Sequence, residues 1–402
     1  MIPTVVVLNA GSSSLKFQVF EILDGAELRL FWRGLYEGLG GPARFAINHA
    51  SGANLDEMSW GSADGFGHEE ALVHLVSWLR QHQEERKLVA IGHRVVHGGE
   101  AFSSPVLVNE SVVQKLEALV PLAPLHQPHN LEPIRIVRRR LPEVPQVACF
   151  DTAFHQSQFD IASLFAVPRE MRERGVRRYG FHGLSYDYIA SVLKDHDPRL
   201  AAGRVIVAHL GNGASLCALR RGTSIATTMG FSALDGLPMG TRCGAIDAGV
   251  VFFMLREMKL SPEEAERILY TKSGLLGVSG LSNDMRVLRA NAVANVDAQR
   301  AIDLFVYRIT REIGSLVAAL GGIDGLVFTA GIGENDVATR AEVMARLNWT
   351  GISLDEAANR TGGPRISTGS GPTAWVIPTN EELVIARQTR SVLDETRARL
   401  AS

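Results

Sequence analysis

The chain has 402 residues, 46% of them apolar and 21% charged, with 41 Lys and Arg against 43 Asp and Glu for a formal net charge of −2. That length holds two domains, or three, each with its own core; it excludes a single small module, and the ordinary composition excludes a fibrous repeat or a long disordered tail. Balanced charge with no Lys/Arg run gives no footprint for nucleic acid or a membrane surface, so an anion bound here must be met by a local cluster of charges.

In chain order, residues 5–8 form a short apolar run ending at Asn9-Ala10-Gly11-Ser12-Ser13-Ser14, after which Leu15, Phe17 and Val19 alternate with Lys16 and Gln18. This predicts strand, tight turn, strand. The pattern returns at residues 205–208, then Gly211-Asn212-Gly213-Ala214, then 215–219, which points to two related halves. Strand-like runs at 144–149, 325–328 and 374–377 alternate with amphipathic helices. The clearest helix is 299–320, with Ile302, Phe305, Val306, Ile309, Ile313, Leu316 and Val317 on one face. The class is α/β with mixed sheets. No Pro- or Ser-rich linker separates the halves, so the boundary is expected near 149–153, and a C-terminal helix over about 381–400 is expected to cross back to the first half.

Three scattered cysteines, Cys149, Cys217 and Cys243, include no C-x-x-C pair, which fits a reducing cytosol better than a disulfide framework. The first ten residues lack a basic segment, and no stretch reaches the ~20 apolar residues of a membrane span. A cytoplasmic protein is expected.

Gly-rich turns follow strand-like runs at 11–14, 98–99, 211–213 and 331–335. Successive backbone N–H groups in such turns meet an anion with no Cβ in the way, as a polyphosphate requires. Neither G-x-x-x-x-G-K-[ST] nor G-x-G-x-x-G occurs, which disfavours a Walker-type or dinucleotide site. Several His, Arg and Asp residues lie in apolar or Gly-rich context: His93-Arg94-Val95-Val96-His97, His126, Asp151, His182, His209 and Arg242. Two readings of the arginines stay open on these residues alone, a buried structural Arg–Asp pair or bidentate contact with phosphate or carboxylate. No pair of histidines has zinc-ligand spacing with a third His or a Cys.

The string N-A-G-S-S-S-L-K-F at 9–17 resembles the opening signature of the acetate kinase family, within the actin, Hsp70 and sugar kinase superfamily. Further segments agree in order: G-H-R-V-V-H-G-G at 92–99, L-A-P-L-H at 122–126, F-D-T-A-F-H at 150–155, Y-G-F-H-G at 179–183, H-L-G-N-G-A-S at 209–215, M-G-T-R at 239–242, T-A-G-I-G-E-N at 329–335 and P-T-N-E-E-L at 378–383. The resemblance implies two related actin-like (ribonuclease H-like) domains, 1–150 plus about 382–402 and 151–381, with the active site in the cleft between them. It implies reversible phosphoryl transfer from ATP to acetate, giving acetyl phosphate and ADP, with propionate or another short carboxylate as the alternative substrate. Mg²⁺ is the implied metal, with Mn²⁺ as the alternative ion, and the implied assembly is a homodimer.

Carried over by position, Arg94 and Arg242 resemble the family's active-site arginines, Asp151 its carboxylate, and His182 the histidine beside the transferring phosphoryl. His126, Ser12, Ser14 and Lys16 match active-site positions, and Asn9 with Glu381 resembles the magnesium pair, Glu382 being adjacent. Residues His209, Gly211, Asn212, Gly213, Gly331, Gly333 and Asn335 fall in nucleotide phosphate loops, while Asp284 and Arg286 lie in the segment resembling the adenine contact. Val96, Leu125, Phe181 and Ala233 resemble the acyl-group pocket. Three departures stand out: Ala245 and Ala248 replace an acidic residue and a proline after Arg242, Gln127 follows His126, and Ala233 occupies a position usually held by proline. A nucleotide-gated switch of the actin or Hsp70 type is the contrasting reading, and it has no use for Arg94, Arg242 and an apolar acid pocket.

Overall fold

Val5, Val6 and Val7 are buried on both faces of strand β1 (Ile2–Ala10), the environment of a strand covered on both sides by helices. The computed structural model describes residues 1–24, 27–82 and 85–401. It divides the chain into two units, Met1–Ala153 with Asn380–Ser402, and Phe154–Thr379.

The first unit is built on a sheet of β1, β2 (Ser14–Ile22), β3 (Leu28–Glu37), β4 (Ala43–His49), β5 (Asn54–Trp60), β6 (Arg86–Val95), β7 (Val106–Leu107) and β8 (Gln146–Phe150), in the order β5-β4-β3-β2-β1-β6-β8-β7. Strands β1, β6 and β8 are mutually parallel, and β1 through β5 form an antiparallel meander. Strand alternation sends Val6, Leu8, Ala10 and Ile91 into one core with Leu72, Ile136 and Val137 of helices His68–His82 and Gln127–Arg140. The opposite face carries helix Glu381–Ala401. A Cβ on Gly92 would lie 2.3 Å from Thr389 Oγ1 and 2.7 Å from Ile385 Cγ2. Glycine there lets the C-terminal helix lie close on the sheet.

The second unit repeats the plan with β9 (Arg204–Leu210), β10 (Ala214–Arg220), β11 (Thr223–Thr227), β12 (Gly325–Thr329) and, after the short ribbon of β13 (Ser353–Leu354) and β14 (Ser367–Thr368), β15 (Thr373–Val376). Its order is β11-β10-β9-β12-β15. In both sheets the first hairpin and its third strand are antiparallel, and two parallel strands then add beside the first. The two halves are therefore related in topology, and the fold is the two-domain actin-like one. Helix Val296–Leu320 buries Ile302, Phe305, Ile309, Ile313 and Leu316, each contributing about 1.5–3 kcal/mol. Asn295 caps its start through the N–H groups of Asp297 and Ala298, and Gly321 ends it at φ 72°. Helix Gly183–His196 packs Tyr186, Ile189 and Leu193 against Val205, Val207 and Val327. Among the described residues no helix is long and apolar enough to cross a membrane.

Candidate active site

In the first unit, the C-terminal ends of β1, β6 and β8 bring three polar residues to one face. Asn9 is the penultimate residue of β1, Arg94 that of β6, and Asp151 follows β8. Register aligns Arg94 with Cys149, and the two-residue alternation places Asn9, Arg94 and Asp151 on the face that carries the C-terminal helix. Arg94 Nε donates to Asp151 Oδ1 at 3.0 Å and Nη2 to Oδ2 at 2.7 Å. Its Nη1 donates to Asn9 Oδ1 at 3.3 Å and lies 3.8 Å from Glu381 Oε2. Glu381 and Glu382 open the C-terminal helix, and Asn9 Nδ2 donates to Glu382 Oε1 at 3.5 Å.

Burial opposes the charged Arg94 guanidinium, yet Asp151, Glu381 and Glu382 outweigh it and hold the pKa above the ordinary arginine value. Burial raises Glu381, Asp151 and Glu382 add to the effect, and Arg94 with Lys16 opposes it; the balance leaves that carboxyl at about 7. Arg94 thus sits among three carboxyls with Lys16 nearby, an excess of negative charge that a bound metal cation would offset.

The turn between β1 and β2 holds Ser12, exposed, and Ser14 opens β2; Lys16, also exposed, pairs with Asn9 across the hairpin and so shares its face. His68 Nε2 bonds the Gly11 carbonyl at 2.9 Å, and Asn130 Nδ2 donates to the Ala10 carbonyl at 2.8 Å. His126 is the N-cap residue of helix Gln127–Arg140. Gln127 has a structural task, since Oε1 accepts from His97 N–H at 3.2 Å and Nε2 donates to the His97 carbonyl at 3.0 Å. Of the acyl-pocket candidates in this unit, Val96 is buried at 7% exposure and Leu125 is exposed at 44%.

In the second unit, His182 precedes helix Gly183–His196 with φ 59°, left-handed for a residue bearing a side chain. Its ring stacks on His209 with centroids 4.2 Å apart. His182 Nδ1 meets Ser215 Oγ at 2.8 Å, and His209 Nδ1 meets Ser185 Oγ at 2.8 Å. Arg242 Nη1 donates to the Ala233 carbonyl at 2.6 Å. A Cβ on Gly213 would stand 2.8 Å from Arg242 Nη2 and 3.2 Å from His182 Nε2, so the bare glycine lets both groups converge on one loop. Phe181 and Ala233 are both buried. Asp247, the acidic residue left after Arg242, caps helix Ala248–Arg256 by accepting from Gly249 N–H at 2.6 Å.

The same unit contains a cavity of about 640 Å³ lined by Gly211, Asn212, Asp284, Arg286, Gly331 and Asn335, together with Asn283 and Ile332. That volume suits a nucleotide-sized ligand. Six of the residues expected in the nucleotide site, Gly211, Asn212, Asp284, Arg286, Gly331 and Asn335, thus border one cavity. The sequence reading missed the side chains that hold the loops in place. Glu334 Oε1 accepts from Ala330 N–H at 2.8 Å and Thr379 N–H at 3.2 Å, joining the ends of β12 and β15. Fully buried Arg340 donates to the carbonyls of Gly333 and Glu334 at 2.9 and 2.8 Å. Ser185, Tyr186 and Ser215 were also missed, because a lone hydroxyl carries no periodic signal.

A family model described as "Acetokinase family" matches residues 4–387. A protein named acetate kinase from Methylocella silvestris is 48% identical, covering 98% of this chain and 99% of its own. Among solved structures, a propionate kinase from Francisella tularensis matches with TM-score 0.90 at 36% identity, covering 97% of this chain and 100% of that one. Porphyromonas gingivalis acetate kinase matches with TM-score 0.85 at 35% identity and the same coverage.

Proposed function

We infer the reaction from one premise: this chain belongs to the acetokinase family. It is a kinase that moves the γ-phosphoryl of ATP to a carboxylate oxygen of acetate, reversibly, giving acetyl phosphate and ADP. The observation that carries this reading is the cluster of Arg94, Asp151, Asn9 and Glu381 at the ends of parallel strands. Acetate is already anionic near neutral pH, so its attack on phosphorus needs no general base; it needs its repulsion with the phosphates cancelled. Arg94, oriented by Asp151, serves the carboxylate. Arg242 and the His182 ring stabilise the equatorial oxygens of the transferring phosphoryl, and the cavity at Asn212, Asp284 and Gly331 takes the nucleotide. His126, Ser12, Ser14 and Lys16 contribute to phosphate and substrate binding, and Val96, Leu125, Phe181 and Ala233 to the acyl pocket.

The donor set at the end of β1 fits magnesium. The Asn9 amide oxygen and the Glu381 and Glu382 carboxylates are hard oxygen ligands. Magnesium is commonly held by one or two carboxylates together with waters and phosphate oxygens, which a donor set of this size allows. Asn9 and Glu381 would hold it, and when bound it neutralises charge on the phosphates. Exposed Phe252, Phe253, Ile246, Val250 and Met258, in and around helix Ala248–Arg256, support a homodimer formed through the second unit. Cys149, Cys217 and Cys243 held as thiols and the use of ATP support a cytoplasmic setting.

The test is ADP release with ATP and Mg²⁺ across acids of two to four carbons. Acetate is expected to have the highest kcat/KM. Absence of ADP release with every acid would overturn the assignment.

A further inference from the structure

The His182 ring is anchored by buried hydroxyls. Its Nδ1 lies 2.8 Å from Ser215 Oγ, and Tyr186 Oη lies 2.5 Å from that same oxygen. Tyr186 and Ser215 are 0% exposed and His182 9%, so bulk water does not compete at the serine. The arrangement follows from local geometry. Tyr186 stands four residues after the N-cap His182, on the first turn of helix Gly183–His196, and its N–H donates to the His182 carbonyl at 3.1 Å, which holds the two residues side by side. Ser215 rises from β10 beneath them, paired with His209 of β9.

Ser215 has one proton to place between two neighbours. A phenol is a stronger acid than an aliphatic alcohol and the better donor, so the Tyr186 O–H donates to Ser215 Oγ. Ser215 then donates its own proton to His182 Nδ1. A neutral imidazole that accepts at Nδ1 carries its hydrogen on Nε2. Nε2 is the nitrogen beside Gly213, within the same small space as Arg242 Nη2.

We infer that Tyr186, acting through Ser215, is a positioning residue that fixes His182 as the Nε2–H tautomer, so that the ring presents a donor on the Arg242 side. Its catalytic consequence rests on the reading above, in which His182 donates to a phosphoryl oxygen. Without the phenol, Ser215 can turn and accept from an Nδ1–H, and Nε2 then presents a lone pair to an anionic oxygen. An imidazole in the wrong tautomer loses its function even with its position intact.

The experiment is ¹⁵N NMR of the full-length protein labelled at histidine, with the His182 signals assigned by their loss in His182→Gln. At a pH where the ring is neutral, the wild type is expected to show a pyrrole-like Nε2 and a pyridine-like Nδ1. Tyr186→Phe should shift the ring toward Nδ1–H and lower kcat about 10²-fold, with KM for ATP and acetate changed less than about twofold. Ser215→Ala should act in the same direction, and the double variant should be no worse than the more impaired single one, because both act through one relay. Should Tyr186→Phe not fold, Ser215→Ala carries the test alone. A wild-type Nδ1–H tautomer, or an unmoved Nε2–H tautomer in Tyr186→Phe, overturns the inference. A tautomer that moves while kcat stays unchanged upholds the role of Tyr186 and overturns the donor role of His182 instead.

Discussion

Arg94 and Asp151 form a two-bond pair, Nε to Oδ1 at 3.0 Å and Nη2 to Oδ2 at 2.7 Å, in which the aspartate is 1% exposed. Two bonds fix the guanidinium plane, leaving Nη1 turned toward Asn9 and Glu381. Removing the cation strands a buried carboxylate, so Arg94→Leu is expected to lower stability by about 3–5 kcal/mol. Arg94→Lys keeps the charge and loses the fork, so it should fold yet lose about 10²–10³ in kcat/KM for acetate. Urea unfolding and steady-state kinetics separate the two effects. A lysine variant within threefold of wild type would remove the geometric role of Arg94.

Acid stability follows from two buried histidines and the largely desolvated Glu381, with opposing signs. Burial lowers His93 and His97 from 6.5 to about 4. Their stabilising contribution is present above 6.5 and is lost as pH falls toward 4, because the unfolded chain takes up those protons first. Glu381 is raised from 4.5 to about 7, so the folded state gains its proton first and stability from this group rises as pH falls from 7 toward 4.5. Two protons against one leave a net loss, with slopes of up to about 2.7 and 1.4 kcal/mol per pH unit. Thermal or urea unfolding of the metal-free protein should therefore show a steeper acid limb in Glu381→Gln than in wild type. An identical or shallower limb would contradict the raised Glu381.

Much of the fold was legible because it rests on strong periodic signals. The strand–turn–strand pattern at 5–19 and its return at 205–219 became β1–β2 and β9–β10, and the amphipathic stretch at 299–320 became helix Val296–Leu320. Strands β3 to β5 were not anticipated. β3 mixes partly buried residues on both faces and β5 is largely exposed, so neither shows clean alternation. Motif context also singled out Arg94 and Asp151, which the structure pairs, and Arg242. It did not single out Arg340, Glu334, Ser185 or Tyr186, whose partners are backbone carbonyls, a backbone N–H, a histidine ring nitrogen and a serine hydroxyl respectively. Such residues become visible only once the loops they hold are folded.

Asn9 and Glu381 are assigned to the metal, while Glu382 touches the Asn9 amide at 3.5 Å. Asn9→Ala and Glu381→Ala are each expected to raise the Mg²⁺ needed for half-maximal activity by about 10–100-fold. Glu382→Gln keeps an acceptor for the Asn9 amide and should change that value by less than about threefold. A magnesium titration on all three decides. A larger effect at Glu382 than at Glu381 would reverse their roles.

Gly213 is expected to be intolerant of even one methyl group. A Cβ there would meet Arg242 Nη2 at 2.8 Å and His182 Nε2 at 3.2 Å, and Arg242 cannot swing away cheaply while Nη1 is tied to the Ala233 carbonyl. Gly213→Ala should therefore lower kcat about tenfold or more with the fold intact, as circular dichroism and kinetics would show. Wild-type kcat would mean that these groups do not converge on the reacting atoms.

Ala233 bears on which acid is used. Its carbonyl accepts from Arg242 Nη1 at 2.6 Å, and its side chain is nearly buried at 9% exposure. Proline retains that carbonyl, so Ala233→Pro leaves the Arg242 contact available while adding bulk where the acyl pocket is assigned. The small alanine should leave space for about one further methylene, whose burial contributes about 0.8 kcal/mol. An apolar pocket discriminates a single methylene by only about 10–200-fold. Propionate is thus expected to be turned over with kcat/KM within about tenfold of acetate, and Ala233→Pro to shift the ratio toward acetate. Kinetics with both acids on wild type and variant measure this directly. If the ratio does not move, the methyl of Ala233 does not border the acyl group, and specificity must be sought at Val96, Leu125 or Phe181.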